Sequence, residues 1–380
     1  MNRSIAIVHN AVTDPALPDE ADVLVQVDAV FEALNGLGYN PIPVPCTLDL
    51  AALKQTLETM RPLGVFNLVE SLENCGSLIH VVPALLDTMA VPYTGCPAPA
   101  VYATSHKVMA KERLCLAGLP TPAWINPFPA DMPWQGGMDP GDDRPHGTGI
   151  TGAKSFGTAS TGCGYIQNGH IRNRHSSTGP ILKTDDPGSL WIIKSVWEHG
   201  SLGLEAENLV TGTAKTVTRL VKERAPGLGG ACFAEQFISG REFNLSLLAT
   251  RSGVQVLPPA EILFPDTPAE RPAMVGYRAK WHEDSEEYRN TPRQFDFTPA
   301  DTTLLEELET LARSCWHLFH LAGYARVDFR VDPDGRPFVL EVNTNPCLSP
   351  DAGFAAALDR AKISYADGIQ RIVTHSLCSE

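Results

Sequence analysis

The chain has 380 residues, with 30 lysine and arginine residues against 44 aspartate and glutamate residues, and its formal net charge is −14. It carries no basic block and no aromatic-basic stripe, so nucleic acid and anionic membrane surfaces are not expected as partners. The first apolar run, residues 5–8, is too short for a signal peptide, and no run approaches the length needed to span a bilayer.

The nine cysteines are scattered along the chain, and none forms a Cys-x-x-Cys pair with another. An odd number without such a pair argues against a disulfide framework and against a structural zinc site. We therefore expect a cytoplasmic protein, long enough for two or three packed units.

Residues 1–105 alternate between strand patterns and helix patterns. Because strands that alternate with helices form parallel sheets covered on both faces, this region is predicted to be an α/β domain. Its predicted strands and helices are, in chain order, residues 5–9, 22–37, 39–44, 49–60, 64–69 and 77–89.

Residues 126–188 interrupt the pattern. They are rich in Gly, Pro, Ser, Thr and Asp with little apolar periodicity, and they are predicted to form a long loop or a partly disordered insertion. The other elements predicted beyond residue 105 are strands at 190–196, 231–238 and 241–249, and helices at 105–117, 214–222, 301–321, 352–361 and 365–375.

A hairpin is predicted where two β-rich runs, residues 325–331 and 336–343, flank an Asp-Pro-Asp-Gly turn. If Asp328 lies opposite Glu341, the same register places Arg326 opposite Asn343. These four side chains then share one face, because strand side chains alternate between faces. The pairs predicted for the opposite, apolar face are Val327 with Val342, Phe329 with Leu340, and Val331 with Phe338.

The polar face of this hairpin offers oxygen ligands beside a fixed positive charge. Two carboxylates and an amide oxygen, without a soft ligand, suit Mg²⁺ that carries phosphates. A solvated strand face with salt-bridged Arg, Asp and Glu would have the same pattern. The turn at residues 344–346 favours the metal interpretation, because it ends the polar face at a bend that ligands can approach.

Other candidate residues are weak signals when taken singly. Lys194 interrupts an apolar strand ahead of a glycine loop, residues 200–203, where an ammonium and loop N–H groups can meet a phosphate. Glu235 and Glu242 could accept from an adenine amino group and from ribose hydroxyls. An edge-strand lysine and surface glutamates at strand ends are the plainer alternatives.

Taken in chain order, these residues resemble the ATP-grasp fold, and within it the D-alanine–D-alanine ligase family. The order is Lys107 at a helix start, Lys194, the glycine loop, the paired glutamates, Lys280 in a long loop, and then Arg-x-Asp and Glu-x-Asn on the hairpin. The resemblance covers most of the chain outside the insertion. The matching stretches are residues 92–95, 107, 118–122, 193–195, 235–243, 279–280 and 326–346, of which the last is the most specific.

The resemblance implies an α/β chain with α+β organisation in its C-terminal part. Its ATP-grasp fold would comprise an N-terminal parallel-sheet domain (residues 1–105), a central lid domain (106–240) and a C-terminal metal-binding domain (241–380). A homodimer is also implied.

The resemblance further implies a role for each matching residue. Asp328, Glu341 and Asn343 would bind two Mg²⁺ ions, with Mn²⁺ as an alternative and Glu341 as the bridge. Arg326 would stabilise charge on the transferred phosphoryl group and on the tetrahedral intermediate. The implied ATP contacts are Lys107 and Lys194 to the α/β-phosphates, Gly200, Ser201 and Gly203 over the β/γ end, Glu235 and the backbone near Ile238 to adenine, Glu242 to the ribose, and Lys280 to the γ-phosphate.

The implied reaction activates a carboxylate in two steps. A substrate carboxylate attacks the γ-phosphate of ATP to give an acyl phosphate and ADP, and a second substrate's amine then displaces phosphate to form an amide. Because the acyl phosphate is hydrolysable, the site must exclude water, and residues 264–295 are a candidate lid.

The chain departs from the family pattern in the substrate sites. Residues 9–14 lack the family's early glutamate, and Glu70 at a strand's carboxyl end is expected to take the substrate amine instead, with a helix-capping or surface glutamate as the alternative. Cys347, Ala352 and Trp281 stand where the family has glycine, serine and usually tyrosine. We therefore expect a ligase that joins amino acids, or an amino acid and a peptide. D-alanine–D-alanine ligation in cell-wall synthesis and a non-catalytic nucleotide-binding module are the alternatives.

Overall fold

The computed structural model describes residues 3–12, 18–125, 164–167, 170–173, 186–197, 206–228, 230–265, 274 and 291–377. The helices are α1 Pro18–Gly36, α2 Leu50–Met60, α3 Val81–Met89, α4 Ala98–Ser105, α5 Lys107–Leu116, α6 Ala214–Arg224, α7 Thr302–Leu318, α8 Gly353–Arg360 and α9 Tyr365–Leu377. The strands are β1 Ser4–Asn10, β2 Asn40–Cys46, β3 Gly64–Leu68, β4 Trp124–Ile125, β5 Gly164–Gln167, β6 His170–Asn173, β7 Leu190–Ser195, β8 Leu209–Thr211, β9 Cys232–Gln236, β10 Arg241–Thr250, β11 Gly253–Val256, β12 Ala260–Ile262, β13 Arg293–Gln294, β14 Tyr324–Val331 and β15 Pro337–Asn343.

The N-terminal region is a three-stranded parallel sheet in the order β2-β1-β3, which confirms the α/β prediction. Strand β1 is buried at the centre of this sheet. The parallel arrangement brings the carboxyl ends of β1 and β3 together, so Asn10 and Glu70 lie at the same edge. None of the helices in the described ranges is long and apolar enough to cross a membrane.

The predicted helix at 105–117 is confirmed as α5, which begins two residues later than predicted, at Lys107. His106 has an extended backbone that ends α4 and begins α5, and its Nδ1 accepts a hydrogen bond from the Met109 backbone N–H at 3.0 Å. Histidine is not a common helix cap, which is why the start of α5 was predicted two residues early. The preceding helix α4 was not predicted. The cap makes Lys107 the first residue of α5.

The central sheet has six strands in the order β6-β5-β4-β9-β7-β8. Strands β5 and β6 form a hairpin that joins this sheet beside β4. The prediction of a long loop or a partly disordered insertion over residues 126–188 was therefore wrong for these two segments. Each has four residues, which is too short for its alternation to stand out in a stretch rich in Gly and Ser.

The C-terminal sheet is antiparallel, in the order β13-β12-β10-β14-β15 with β11 also paired to β10. The predicted hairpin is confirmed on its polar side, where Arg326 pairs with Asn343 and Asp328 with Glu341. Its lower half was predicted one residue out of register. The register shifts after Asp328, so that Phe329 pairs with Val339 and Val331 with Pro337, because a β-bulge at Leu340 leaves that residue unopposed.

Gly240, in the turn between β9 and β10, has a backbone conformation that only glycine adopts easily. Its φ is +126°, and a Cβ atom there would overlap the carbonyl oxygen of Val331. Gly335, in the hairpin turn, has φ +81° but has open space where a Cβ would be placed. Alanine substitution at Gly335 therefore tests backbone strain alone, whereas substitution at Gly240 tests backbone strain together with steric overlap.

We expect Gly335→Ala to lower the free energy of unfolding by about 1 kcal/mol, from backbone strain alone. Gly240→Ala adds a steric clash and should cost about 2–4 kcal/mol. Urea unfolding of both variants measures the difference. Equal losses would contradict the close approach of Gly240 to β14.

Candidate active site

The polar face of the β14–β15 hairpin is organised by an ion pair. The Nε and Nη2 atoms of Arg326 donate to the two carboxylate oxygens of Asp328 at 2.7 and 2.8 Å. Burial by itself would lower the pKa of the Arg326 guanidinium, but the adjacent Asp328 and Glu341 carboxylates outweigh it and raise that pKa. Arg326 therefore keeps its positive charge beside the two candidate metal ligands.

Asp328 has a second donor that the sequence interpretation missed. Asn244 on β10 lies opposite Asp328, and its Nδ2 donates to Asp328 Oδ1 at 2.8 Å. The signal was available, because Glu242 and Asn244 are two residues apart on one strand and so share a face. The face therefore spans three neighbouring strands, with Asn244, Asp328 and Glu341 side by side.

Asn343 is held in place by the turn that follows it. Its side-chain oxygen accepts a hydrogen bond from the backbone N–H of Asn345 at 3.0 Å. The side chain of Asn345 accepts from the Tyr324 hydroxyl at 2.7 Å and donates to the backbone oxygen of Val69 at 3.1 Å. The end of the hairpin is thus tied to the segment after β3 in the N-terminal region.

Glu242 lies beside Arg330, whose guanidinium also contacts two aromatic rings. Arg330 Nε lies 3.3 Å from Glu242 Oε2, and its Nη1 donates to the Gly240 backbone oxygen at 3.1 Å. The Arg330 guanidinium also lies over the rings of Phe237 and Phe264, at 5.3 and 5.7 Å from their centroids. Burial raises the pKa of the Glu242 carboxyl, although Arg330 opposes this. Arg330 was not singled out from the sequence, although it follows Asp328 at the same two-residue spacing.

Glu235 lies between two lysines. Lys194 Nζ is 2.6 Å from Glu235 Oε1, and Lys111 Nζ contacts Glu235 Oε2. Burial would raise the pKa of the Glu235 carboxyl, but the two ammonium groups lower it below its usual value. Lys111, four residues after Lys107 on α5, was missed by the sequence interpretation.

The remaining predicted ATP contacts lie close to this ion-pair group or outside the described residues. The backbone N–H of Lys107 donates to the Val196 oxygen at 3.1 Å, which places the start of α5 against the end of β7. Ile238 follows β9 and is half-buried. The predicted residues Gly200, Ser201, Gly203 and Lys280, together with Trp281 and most of the candidate lid, lie outside the described residues.

Glu70 belongs to a polar cluster that joins the N-terminal region to the loop after β15. Gln26 Nε2 donates both to Glu70 Oε1 at 3.0 Å and to Asp22 Oδ2 at 3.1 Å. The Asp22 carboxylate also accepts from Ser349 Oγ at 2.7 Å and from Cys347 Sγ at 3.1 Å. Burial, with the nearby Asp22 and Glu70 carboxylates, raises the pKa of the Cys347 thiol to about 12.

Three members of this cluster, Asp22, Gln26 and Ser349, were not identified from the sequence. Gln26 and Glu70 are 44 positions apart, and Asp22 and Ser349 are 327 positions apart, so no local spacing could connect them. Ala352 is the N-cap residue of α8 and makes no side-chain hydrogen bond to the helix. The cluster therefore could not be predicted from local sequence patterns, because its contacts form only when distant segments of the chain come together.

Comparisons with known proteins agree on the family that this geometry resembles. Residues 192–374 match the family model described as the D-ala D-ala ligase C-terminus. The chain is 28% identical to a D-alanine–D-alanine ligase of Moorella thermoacetica over 92% of each chain. It is 26% identical to the protein y4sG of Sinorhizobium fredii, named as uncharacterized, over 91% of this chain and 85% of the relative. A solved D-alanine–D-alanine ligase of Bacillus anthracis in complex with ATP has a similar fold, with a TM-score of 0.62 at 17% identity, covering 99% of this chain and 97% of that one.

We expect Ser349→Ala to lower the free energy of unfolding by about 1.5–3 kcal/mol, because it removes a buried hydrogen bond to the Asp22 carboxylate. Ser376→Ala is the matched control, since Ser376 Oγ donates only to the Val373 oxygen within α9. Urea unfolding measures both. A loss no larger than that of the control would show that the Asp22–Ser349 contact does not fasten the two regions.

Proposed function

We propose that this chain, which belongs with the D-alanine–D-alanine ligase-like ATP-grasp enzymes, is an ATP-dependent, ADP-forming ligase that joins a carboxylate to an amine. The observation that carries the proposal is the polar face of β14 and β15, with Arg326, Asp328, Glu341 and Asn343 in register. Fixed charges in such a partly buried site can stabilise the charge that moves during phosphoryl transfer.

The nucleotide is proposed to lie between the central and C-terminal sheets. Lys107 and Lys194 would contact the α/β-phosphates, the backbone near Ile238 would contact adenine, and Glu242 would contact the ribose. The proximity of α5, β7 and β9 supports this assignment. The proposed contacts outside the described residues are Gly200, Ser201 and Gly203 over the phosphates and Lys280 at the γ-phosphate.

Asp328, Glu341 and Asn343 fit a divalent cation by the chemistry of their donor atoms. They provide two carboxylates and one amide oxygen from one hairpin face, and such hard oxygen donors suit Mg²⁺. We propose that these three residues would hold two Mg²⁺ ions, with Mn²⁺ able to replace them. The ions would supply positive charge to the β- and γ-phosphates.

The proposed reaction begins when a substrate carboxylate oxygen attacks the γ-phosphorus of ATP, which breaks the bond to the β-phosphate oxygen and releases ADP. The neutral amine of the second substrate then attacks the acyl carbon, and inorganic phosphate leaves as the amide forms. Arg326, held rigidly by Asp328, would stabilise the negative charge on the phosphoryl group and on the tetrahedral intermediate.

We propose amino acids, or an amino acid and a peptide, as substrates, with the Glu70 carboxylate as the contact for a substrate ammonium. Glu70 lies at the carboxyl edge of the N-terminal sheet, next to the Cys347 loop and the end of the hairpin. D-Alanine is the second candidate, and the similarity to a Moorella D-alanine–D-alanine ligase favours it. Cys347 and Ala352 argue against it, because neither supplies the acceptor contacts that the family pattern implies. A homodimer in the cytoplasm remains part of the proposal.

The proposed function predicts Mg²⁺-dependent release of ADP with amino acids offered singly, in pairs, or with dipeptides. Glu341→Gln should lower kcat by more than about 100-fold, because a candidate metal ligand loses its charge. Glu309→Gln, on the exposed face of α7, is the control and should retain activity.

Turnover with D-alanine alone would support the cell-wall alternative, and turnover only with other pairs would support the wider substrate class. Binding of ATP without turnover across the panel would contradict the ligase proposal and favour a nucleotide-binding module.

Glu70→Gln should raise the KM of the amine-bearing substrate about tenfold or more, because the carboxylate–ammonium contact loses its charge. The KM of ATP should change little. Glu73→Gln is the control, since Glu73 is exposed in the same loop. Steady-state kinetics with one substrate varied at a time distinguish the two, and unchanged KM values in Glu70→Gln would exclude this residue from substrate binding.

A further inference from the structure

Lys111 is a buried cation whose hydrogen-bond partners all belong to the protein. Its side chain is about as buried as the apolar core, with 1% of its surface exposed. Its Nζ donates to Thr121 Oγ1 at 2.8 Å and to the Pro122 backbone oxygen at 3.2 Å, and it contacts Glu235 Oε2. An ammonium has three N–H bonds, and these three oxygens account for all of them. Lys111 is therefore not placed to bind a ligand itself.

Lys194, on the other side of Glu235, is in a different position. Its side chain is 15% exposed, whereas that of Glu235 is 2% exposed. Because a lysine has a long and flexible stem, the direction of its ammonium must be set by a fixed partner. Glu235 is that partner, and Glu235 is itself held from behind by Lys111.

The same group connects to the strand that carries a candidate metal ligand. Thr121, which accepts from Lys111, donates to the backbone oxygen of Val339 at 2.9 Å. The backbone N–H of Val339 donates to the oxygen of Pro120 at 2.8 Å. Val339 is two residues before Glu341 on β15, next to the bulge. A chain of ion pairs and hydrogen bonds thus runs from Lys194 to β15, which carries the candidate metal ligand Glu341.

We propose that Lys111 is a positioning residue for phosphoryl transfer, which acts through Glu235 on the Lys194 ammonium. In this role Lys111 holds the Lys194 ammonium at the nucleotide phosphates, in a fixed position relative to β15. The inference rests on the proposed function, because it assigns Lys194 to the phosphates of ATP. It changes the predicted role of Glu235 from a contact for adenine to an anchor for Lys194.

The role requires a charged Glu235. With Lys111 present, two ammonium groups hold the pKa of this carboxyl below its usual value despite burial. Removing Lys111 leaves one ammonium against the same burial, so the pKa of Glu235 rises. At acidic pH the variant would protonate Glu235 and release Lys194, whereas the unchanged chain would not.

The test measures the dissociation constants of ATP, ADP and adenosine by calorimetry with Mg²⁺ present, on the full chain and on Lys111→Met. We expect ATP and ADP to bind about tenfold more weakly, with adenosine changed less than about twofold, because only phosphate contacts depend on Lys194. The loss of ATP and ADP affinity in Lys111→Met should become larger as the pH falls. Lys54→Met, an exposed lysine on α2, is the control and should leave all three constants unchanged.

A second variant separates positioning from folding. Lys111→Met with Glu235→Gln removes both members of the buried ion pair, so the stability lost in Lys111→Met should be largely recovered. ATP affinity should stay low, because Lys194 has lost its charged anchor. This variant also serves if Lys111→Met alone does not fold.

Each of the following results would assign Lys111 a structural role only. The first is unchanged ATP affinity in a folded Lys111→Met variant. The second is an equal loss of affinity for ATP and adenosine, and the third is recovery of both ATP affinity and stability in the double variant. Absence of ATP binding in the unchanged chain would overturn the proposed function and the inference with it. ATP binding that is insensitive to Lys111 overturns the inference alone.

Discussion

The candidate site depends on the register of β14 against its two neighbouring strands, β10 and β15. β14 pairs with β10 on one side and with β15 on the other, so that Asp328 lies between Asn244 and Glu341. Because strand side chains alternate with a period of two, a slip by one residue would send Asp328 to the core side. Val327 and Phe329, both fully buried, oppose such a slip. The bulge at Leu340 confines the irregularity to the half of the hairpin that carries no candidate ligand.

Each carboxylate of this frame lies beside at least one basic side chain. Asp328 has Arg326, Glu235 has Lys111 and Lys194, and Glu242 has Arg330. Such pairs seldom add net stability, because removing two charges from water costs about as much as their attraction returns. Their value lies in fixed charges that need no rearrangement when a nucleotide binds. Glu242 is less compensated than Glu235, since burial outweighs Arg330 and raises the pKa of the Glu242 carboxyl.

The parts of the structure that were predictable are those encoded by local alternation. The N-terminal parallel sheet and the upper half of the hairpin follow from period-two and helical spacings read within a few residues. Asn244 and Arg330 could have been predicted in the same way, because each lies two residues along a strand from a predicted site residue, Glu242 and Asp328. The bulge at Leu340 could not be predicted, because a single unopposed residue depends on how β15 packs against the rest of the sheet.

The polar cluster around Glu70, the proposed substrate end of the site, could not be predicted because it is built from distant segments. Asp22 accepts from Gln26, Cys347 and Ser349, so its carboxylate is occupied in holding the loop after β15 against α1. Asn345 strengthens the same junction through the Val69 oxygen. These contacts fix the loop after β15 from the N-terminal side, so the surroundings of Glu70, the proposed substrate contact, depend on tertiary packing. The residues proposed to contact ATP lie instead on or beside β7, β9 and β10, where short sequence motifs carry the resemblance.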